Sequence, residues 1–246
     1  MNAVADPAHL RGVYPLKEAA RLAHMPTQTA SRWIKGNKYN YKGELRQTRG
    51  VPSLSERFYT AGTANNRGAP VLDFEELLTL LLVRAFQTRG LSIQRIKKAA
   101  ERAQERYGVQ NPFVTKQFKS DGSKVFIDLA PSAHGKERQL IDLLSDQRQF
   151  REVVEPSLFE DVVFVGSRAG EWWPFGRTND VVVAPDRQGG APHISGTGVR
   201  TDVVSDMVDA EGGGEEGTTA AAEWFGLTLA QVKNAIRFEE WLQQKS

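Results

Sequence analysis

The chain of 246 residues contains no cysteine. That excludes disulfides, cysteine-ligated zinc, iron–sulfur clusters and cysteine nucleophiles together, and it fits a cytoplasmic protein. Histidine is scarce: His9, His24, His134 and His193 are scattered, with no second ligand at metal-binding spacing. Carboxylates are plentiful but never form a convincing acid/base pair, so the chain reads as a non-enzyme with no cofactor and no metal. The longest apolar run, Leu77 to Val83, is too short to span a bilayer. Met1 to Leu10 carries Asp6 and His9, lacks an apolar h-region and does not read as a signal peptide. The Gly212 to Gly214 run has neither the Lys-Ser/Thr nor the preceding strand of a phosphate-binding loop, and reads as a flexible break.

What is present suits a globular protein with real cores: 40% hydrophobic and 25% charged residues, at a length that accommodates two domains. The net charge of only +2 hides an asymmetry. Residues 11–70 hold 11 Lys/Arg against 3 Asp/Glu, whereas 180–246 hold 5 against 11. One end should attract a polyanion and the other repel it, unless both are simply solvated surface.

Helical spacing of Leu16, Ala19, Ala20, Leu22 and Ala23 predicts a helix with a small-residue face, broken at His24-Met25-Pro26. Pro26 suits the first turn of a second helix, Thr27 to Ile34, with Ala30, Trp33 and Ile34 turned inward. Asn37 to Pro70 is basic, with Tyr39, Tyr41, Phe58 and Tyr59 interleaved, and reads as two short strands and an irregular loop with a tip at Asn65 to Gly68. Asp73 and Glu76 form a capping box for an apolar central helix that Gly90 stops; Ser92 caps the next, Ile93 to Tyr107. Asp121-Gly122 predicts a hairpin over Gln117 to Ile127. Leu140 to Val154 reads as a short amphipathic helix or as a helix followed by a break, and Val162 to Val165 and Val181 to Val183 read as strands. The C-terminal part is helical: Val199 to Ala210, Ala220 to Phe225 capped by Thr219, and Leu229 to Gln244 capped by Thr228.

Two helices crossing on alanines, the second with short polar side chains outward, are what a groove-reading helix-turn-helix needs. The same spacing also serves an ordinary helical hairpin. The outward face would offer Thr27, Gln28, Ser31, Arg32 and Lys35. Gln bonds adenine edges, Arg forks onto guanine and hydroxyls reach phosphate.

Leu16-Lys17-Glu18-Ala19-Ala20-Arg21-Leu22-Ala23, Met25 and Arg32-Trp33 resemble the opening of MerR-type winged helix-turn-helix regulators. Phe74 to Phe86, then Arg89-Gly90-Leu91-Ser92-Ile93-Gln94-Arg95-Ile96, resemble the later helices of that domain. His24 stands where that family usually has Gly, and the wing region is longer than usual. The resemblance implies that the second helix enters the major groove, with Arg32 and Gln28 on base edges and Thr27, Ser31 and Lys35 on phosphate or bases. Lys38, Tyr39, Tyr41, Lys42, Arg46 and Arg49 would touch the backbone from the wing.

Pro185-Asp186, Gly190 to Val199, and Trp224-Phe225-Gly226-Leu227-Thr228 with Val232, Ala235 and Ile236 resemble the small helical domain of VapB-type antitoxins. That family often stands beside a PIN-like ribonuclease toxin. Gly198 replaces its usual Arg, and Trp224-Phe225 its aromatic-Pro pair. The acids of this region, Asp202 to Glu223, disfavour phosphate and suit dimerisation or a basic partner, or form a plain solvated face. Trp172, Trp173 and Phe175 are candidate partner anchors, or else pack the domain's own core.

The expected fold is mainly α with short β elements (α+β). A MerR-like winged helix-turn-helix DNA-binding domain would occupy 11–110, a β-containing middle or linker region 111–180, and an antitoxin-like helical module 181–246. The expected function is that of a type II antitoxin, cytoplasmic and homodimeric, with no membrane partner. It would bind its own double-stranded operator DNA and neutralise a PIN-like toxin. The alternative is a MerR-like one-component transcription regulator sensing a small molecule between Pro112 and Val183.

Overall fold

The computed structural model describes residues 12–36, 38–47, 50–51, 71–148, 150, 161–166 and 168–244. The protein is mainly helical, with short two-stranded sheets, an α+β fold. The described residues form two compact units, one drawn from 14–150 and 164–169, the other from 12–13, 161–163 and 170–244.

The first unit runs β1 (Tyr14–Pro15), α1 (Leu16–Leu22), α2 (Thr27–Lys35), β2 (Lys38–Tyr41), β3 (Glu44–Gln47), β4 (Val71–Leu72), α3 (Phe74–Thr88), α4 (Ile93–Tyr107), α5 (Lys116–Asp121), α6 (Ser123–Leu129) and α7 (Gly135–Ser145). Antiparallel pairing of Tyr14 with Leu72 ties the entry of α1 to the entry of α3. The capping box is present: Glu76 N donates to Asp73 Oδ1 at 2.9 Å, and Asp73 N to Glu76 Oε2 at 2.8 Å. Behind it Leu77, Leu78, Leu80, Leu82, Val83 and Phe86 are all buried, so α3 is the central helix. Each such side chain contributes about 1.5–3 kcal/mol by leaving water. Ser92 caps α4 by accepting from Arg95 N, and Ile96, Ala99, Ala100 and Ala103 form its buried face.

The hairpin expected over Gln117 to Ile127 is not formed; that stretch is α5 and α6. Gly122 has φ −57, ordinary helical backbone. A Cβ there would lie 2.5 Å from the Phe118 carbonyl oxygen and 2.6 Å from the Phe150 ring. Glycine is therefore needed for close approach, not for a left-handed turn. The Phe86, Phe113, Phe118, Phe126 and Phe150 rings interlock around it, with centroids 4.9–6.0 Å apart. The helix expected from Leu140 begins at Gly135 and ends at Ser145, and 151–154 lie outside the described residues. It is held to the start of α4: Glu137 accepts from Ser92 Oγ at 2.7 Å and from Arg95 at 3.4 Å.

β5 (Val162–Val165) and β6 (Arg168–Trp172) pair with each other. In the second unit β7 (Val181–Val182) and β8 (His193–Ile194) pair antiparallel, and Val183 exchanges two backbone bonds with Trp172. Then come α8 (Thr201–Ala210), α9 (Gly214–Phe225) and α10 (Leu229–Gln243). Their contacts bury Val204, Val208, Ala221, Ala222, Val232, Ala235, Phe238 and Leu242. Gly217 permits the crossing of α8 and α9, since a Cβ there would meet the Val208 carbonyl oxygen at 2.4 Å. The expected start of α9 behind a Thr219 cap is corrected: the helix begins at Gly214, and Thr219 Oγ1 bonds back to the Glu215 carbonyl within it. Gly212–Gly214 form the turn between helices, with Gly213 N donating to Val208 O at 2.8 Å. Thr228 and Gln231 make a capping box for α10.

Candidate nucleic-acid interface

α1 and α2 meet through Ala19, Ala20, Ala23 and Ala30, all buried, which lets their backbones approach closely. The turn between them is closed by Ala23 N to Ala19 O at 3.0 Å and Met25 N to Ala20 O at 3.0 Å. His24 takes the left-handed conformation at its tip, φ 46, where glycine would sit without strain. Burial, and secondarily the Arg84 charge, lower the His24 imidazole from its ordinary value.

Trp33 and Ile34 turn α2 inward, leaving Thr27, Gln28, Arg32 and Lys35 exposed and Ser31 half-buried on the opposite side. α2 has no acid in its first turn and Arg32 and Lys35 in its last. Its outward face is thus cationic and polar, with donors and acceptors suited to base edges and phosphates.

β2 and β3 form a hairpin with Tyr39 opposite Arg46 and Tyr41 opposite Glu44. Its turn is Lys42-Gly43, φ 53 and 85, the two positive values of a type I′ turn. The turn lies well before Asn65 to Gly68, a tip that falls outside the described residues, as do Phe58, Tyr59 and Arg49. Directly opposite residues share a face, so Tyr39, Tyr41, Glu44 and Arg46 stand together. The Arg46 guanidinium lies 4.6 Å from the Tyr41 ring centroid and bonds Glu44 at 3.3 Å, while Lys42 Nζ lies 5.6 Å from the same ring. Every side chain described on β2 is exposed, as is Leu45 at 73%. A two-stranded hairpin with no buried face has little stability of its own and gains it by lying against something else.

This hairpin is rooted by tertiary contacts that no local sequence pattern announces. Gly50 is seated so tightly that a Cβ would fall 2.0 Å from the Ile34 carbonyl oxygen. Val51, fully buried, donates its amide to Trp33 O at 2.7 Å. The chain therefore leaves α2 at Gly36 and returns to the same helix end at Gly50. Lys38, Tyr39, Tyr41, Lys42 and Arg46 are thereby held on the stalk that springs from the end of the helix bearing Arg32 and Lys35.

The other candidates lie in the second unit. Trp172 is 5% exposed and packs that unit's interior, whereas Trp173 and Phe175 are half-buried. Phe175 packs edge-on against Phe238 and Trp241, at 5.8 and 5.2 Å between centroids, beneath the Arg237 guanidinium. Trp173 donates to Glu171 at 3.0 Å. Among the described residues no cluster of three His, Asp or Glu is placed to hold a metal ion. No helix among them is long and apolar enough to cross a membrane.

No protein-family model matches the chain. It is 27% identical over 239 residues to Rv2308 of Mycobacterium tuberculosis, an uncharacterized protein, across 93% of this chain and 90% of that one. The crystal structure of Rv2018 from Mycobacterium tuberculosis has the same fold, with a TM-score of 0.66 at 22% identity over 91% of this chain and 96% of that chain. The likeness extends across both units and concerns the fold alone.

Proposed function

We propose that the chain is a cytoplasmic, dimeric DNA-binding antitoxin: α2 reads operator DNA in the major groove, the β2–β3 hairpin grips the adjoining backbone, and the C-terminal helices hold a PIN-like toxin. The observation that carries the DNA half is the exposed set Thr27, Gln28, Arg32 and Lys35, beside a cationic, aromatic hairpin rooted on the same helix. Arg32 and Gln28 are the side-chain types that discriminate bases; Lys38, Lys42 and Arg46 supply sequence-independent attraction. A dimer supplies two such helices to the two halves of an operator. The toxin half rests on the resemblance of 181–246 to VapB-type modules and on the acidity of that region, which suits a basic partner.

The alternative, a small-molecule sensor built between Pro112 and Val183, draws less support, because five interlocked phenylalanine rings occupy the first part of that stretch and its α3 neighbour.

Two measurements test the proposal. Fluorescence anisotropy with DNA from upstream of the chain's own gene should give saturable binding that survives excess random duplex. Co-expression with the product of the neighbouring gene should give a stoichiometric complex and relieve the growth arrest caused by that product alone. Binding that random duplex abolishes equally would overturn the operator reading, and absence of complex and rescue would overturn the antitoxin reading.

A further inference from the structure

α9 buries one side and leaves the other uncovered. Gly217, Thr218, Ala221 and Ala222 face the bundle. Glu215, Glu216, Thr219, Ala220 and Glu223 line a shallow depression on the outside. Trp224, four residues after Ala220 and so on the same face, is 75% exposed, the most exposed large apolar side chain among the described residues.

The charges on this face have different explanations. Glu215 and Glu216 lie in the first turn, where the helix dipole favours acids. Glu223 lies in the last turn, where the dipole opposes an acid, and α9 has no basic residue there. Among the described residues none of these three glutamates makes an ion pair. The end of α9 therefore brings together the negative pole of a helix, an uncompensated carboxylate and an uncovered indole. An indole face and a carboxylate are complementary to a guanidinium or ammonium group. Thr219 and Ala220 are small and leave room for another helix to approach. A second copy of the same face would set glutamates against glutamates.

We propose that the outer face of α9 is a docking surface for a cationic helix of a partner protein, with an Arg or Lys seated between Trp224 and Glu223 and further basic residues along Glu216 and Glu215. This deepens the partner half of the proposed function and rests on it.

The test uses the full-length chain and its Trp224→Ala and Glu216→Lys/Glu223→Lys variants. An unchanged far-UV circular dichroism spectrum and urea midpoint serve as the folding control for the unit that carries α9, and operator binding should be unchanged as well, because Arg32 and the hairpin are untouched. Against the neighbouring gene's product, each variant should weaken the complex by about tenfold or more, the loss typical of an interface hot spot. A complex that forms equally well with all three proteins would overturn the docking surface and leave the antitoxin reading standing. If the neighbour makes no complex even with the unaltered chain, the antitoxin reading fails, and a helical Arg-Ala peptide with a Glu-Ala control decides the surface. Shielding of Trp224 from acrylamide by the Arg peptide alone would support it, and shielding by neither would overturn it. A dimer that Trp224→Ala converts to monomer would also overturn it, by assigning the face to a second copy.

Discussion

The amide of Val51 donates to the carbonyl of Trp33 over 2.7 Å, so the chain beyond the exposed hairpin is fastened to the last turn of α2. Trp33 is buried, while its neighbour Arg32 is exposed. One helix turn thus anchors the core, the hairpin and a candidate base-reading side chain. Any shift of α2 moves the hairpin with it.

Gly50→Ala tests that anchorage. The new methyl would collide with the backbone of Ile34, where no side-chain rotation can relieve it. The expected cost is about 1–3 kcal/mol of stability, the usual range for overpacking, read from the urea midpoint. Binding to duplex DNA should fall as well, since the helix end and the hairpin separate. An unaltered midpoint would show that 50–51 is not seated on α2.

Arg32→Ala and the hairpin cations should behave differently. Loss of Arg32 is expected to weaken operator binding by about 1–3 kcal/mol and to relax base preference. Lys42→Ala or Arg46→Ala should weaken all duplexes alike and reduce the slope of log affinity against log salt by roughly one each. Competition titrations over a salt series separate the two. If Arg32→Ala lowers affinity equally for every sequence, Arg32 is a phosphate contact.

The helical face of the candidate site was legible because it is a local pattern: alanines at the crossing, Trp33 and Ile34 on one side and polar residues on the other. The Asp73, Ser92 and Thr228 caps were legible for the same reason. The misreadings have tertiary causes. Asp121-Gly122 carries a hairpin signal, but Gly122 is chosen by the Phe150 ring, which approaches from 28 residues away. Gly217 and Gly50 likewise answer to the distant Val208 and Ile34 carbonyls. The Lys42-Gly43 turn has a local signal, a glycine after the tyrosine-bearing stretch Lys38–Tyr41. The Asn65 to Gly68 stretch carries a richer turn signal, which outweighs it in the sequence.

Thr201→Val should be costly out of proportion to its size. Thr201 Oγ1 donates to Glu239 Oε1 at 2.6 Å, and both residues are buried. The isosteric valine removes a hydrogen bond to a carboxyl group away from water, with an expected loss of about 1–3 kcal/mol. Denaturant unfolding of Thr201→Val beside Thr201→Ser, which keeps the hydroxyl, isolates that bond. Equal stability of the two variants would assign the loss to packing.

His24 is expected to make the first unit sensitive to acid. Its imidazole is lowered by burial first and by Arg84 second, so the folded chain binds the proton more weakly than the unfolded chain does. Above the ordinary imidazole value, about 6.5, both states are neutral and the contribution of His24 to stability is fully present. As pH falls below that value the unfolded state gains its proton first. Stability is then lost until pH has passed the lowered folded value. Asn tolerates the left-handed conformation that φ 46 imposes and does not titrate. Unfolding free energies of the unaltered chain and His24→Asn, taken at about pH 7.5 and about pH 5.5 to bracket the imidazole value, should differ in their pH dependence. The unaltered chain loses more on acidification. Parallel losses would place the acid sensitivity elsewhere and leave His24 with a conformational role alone.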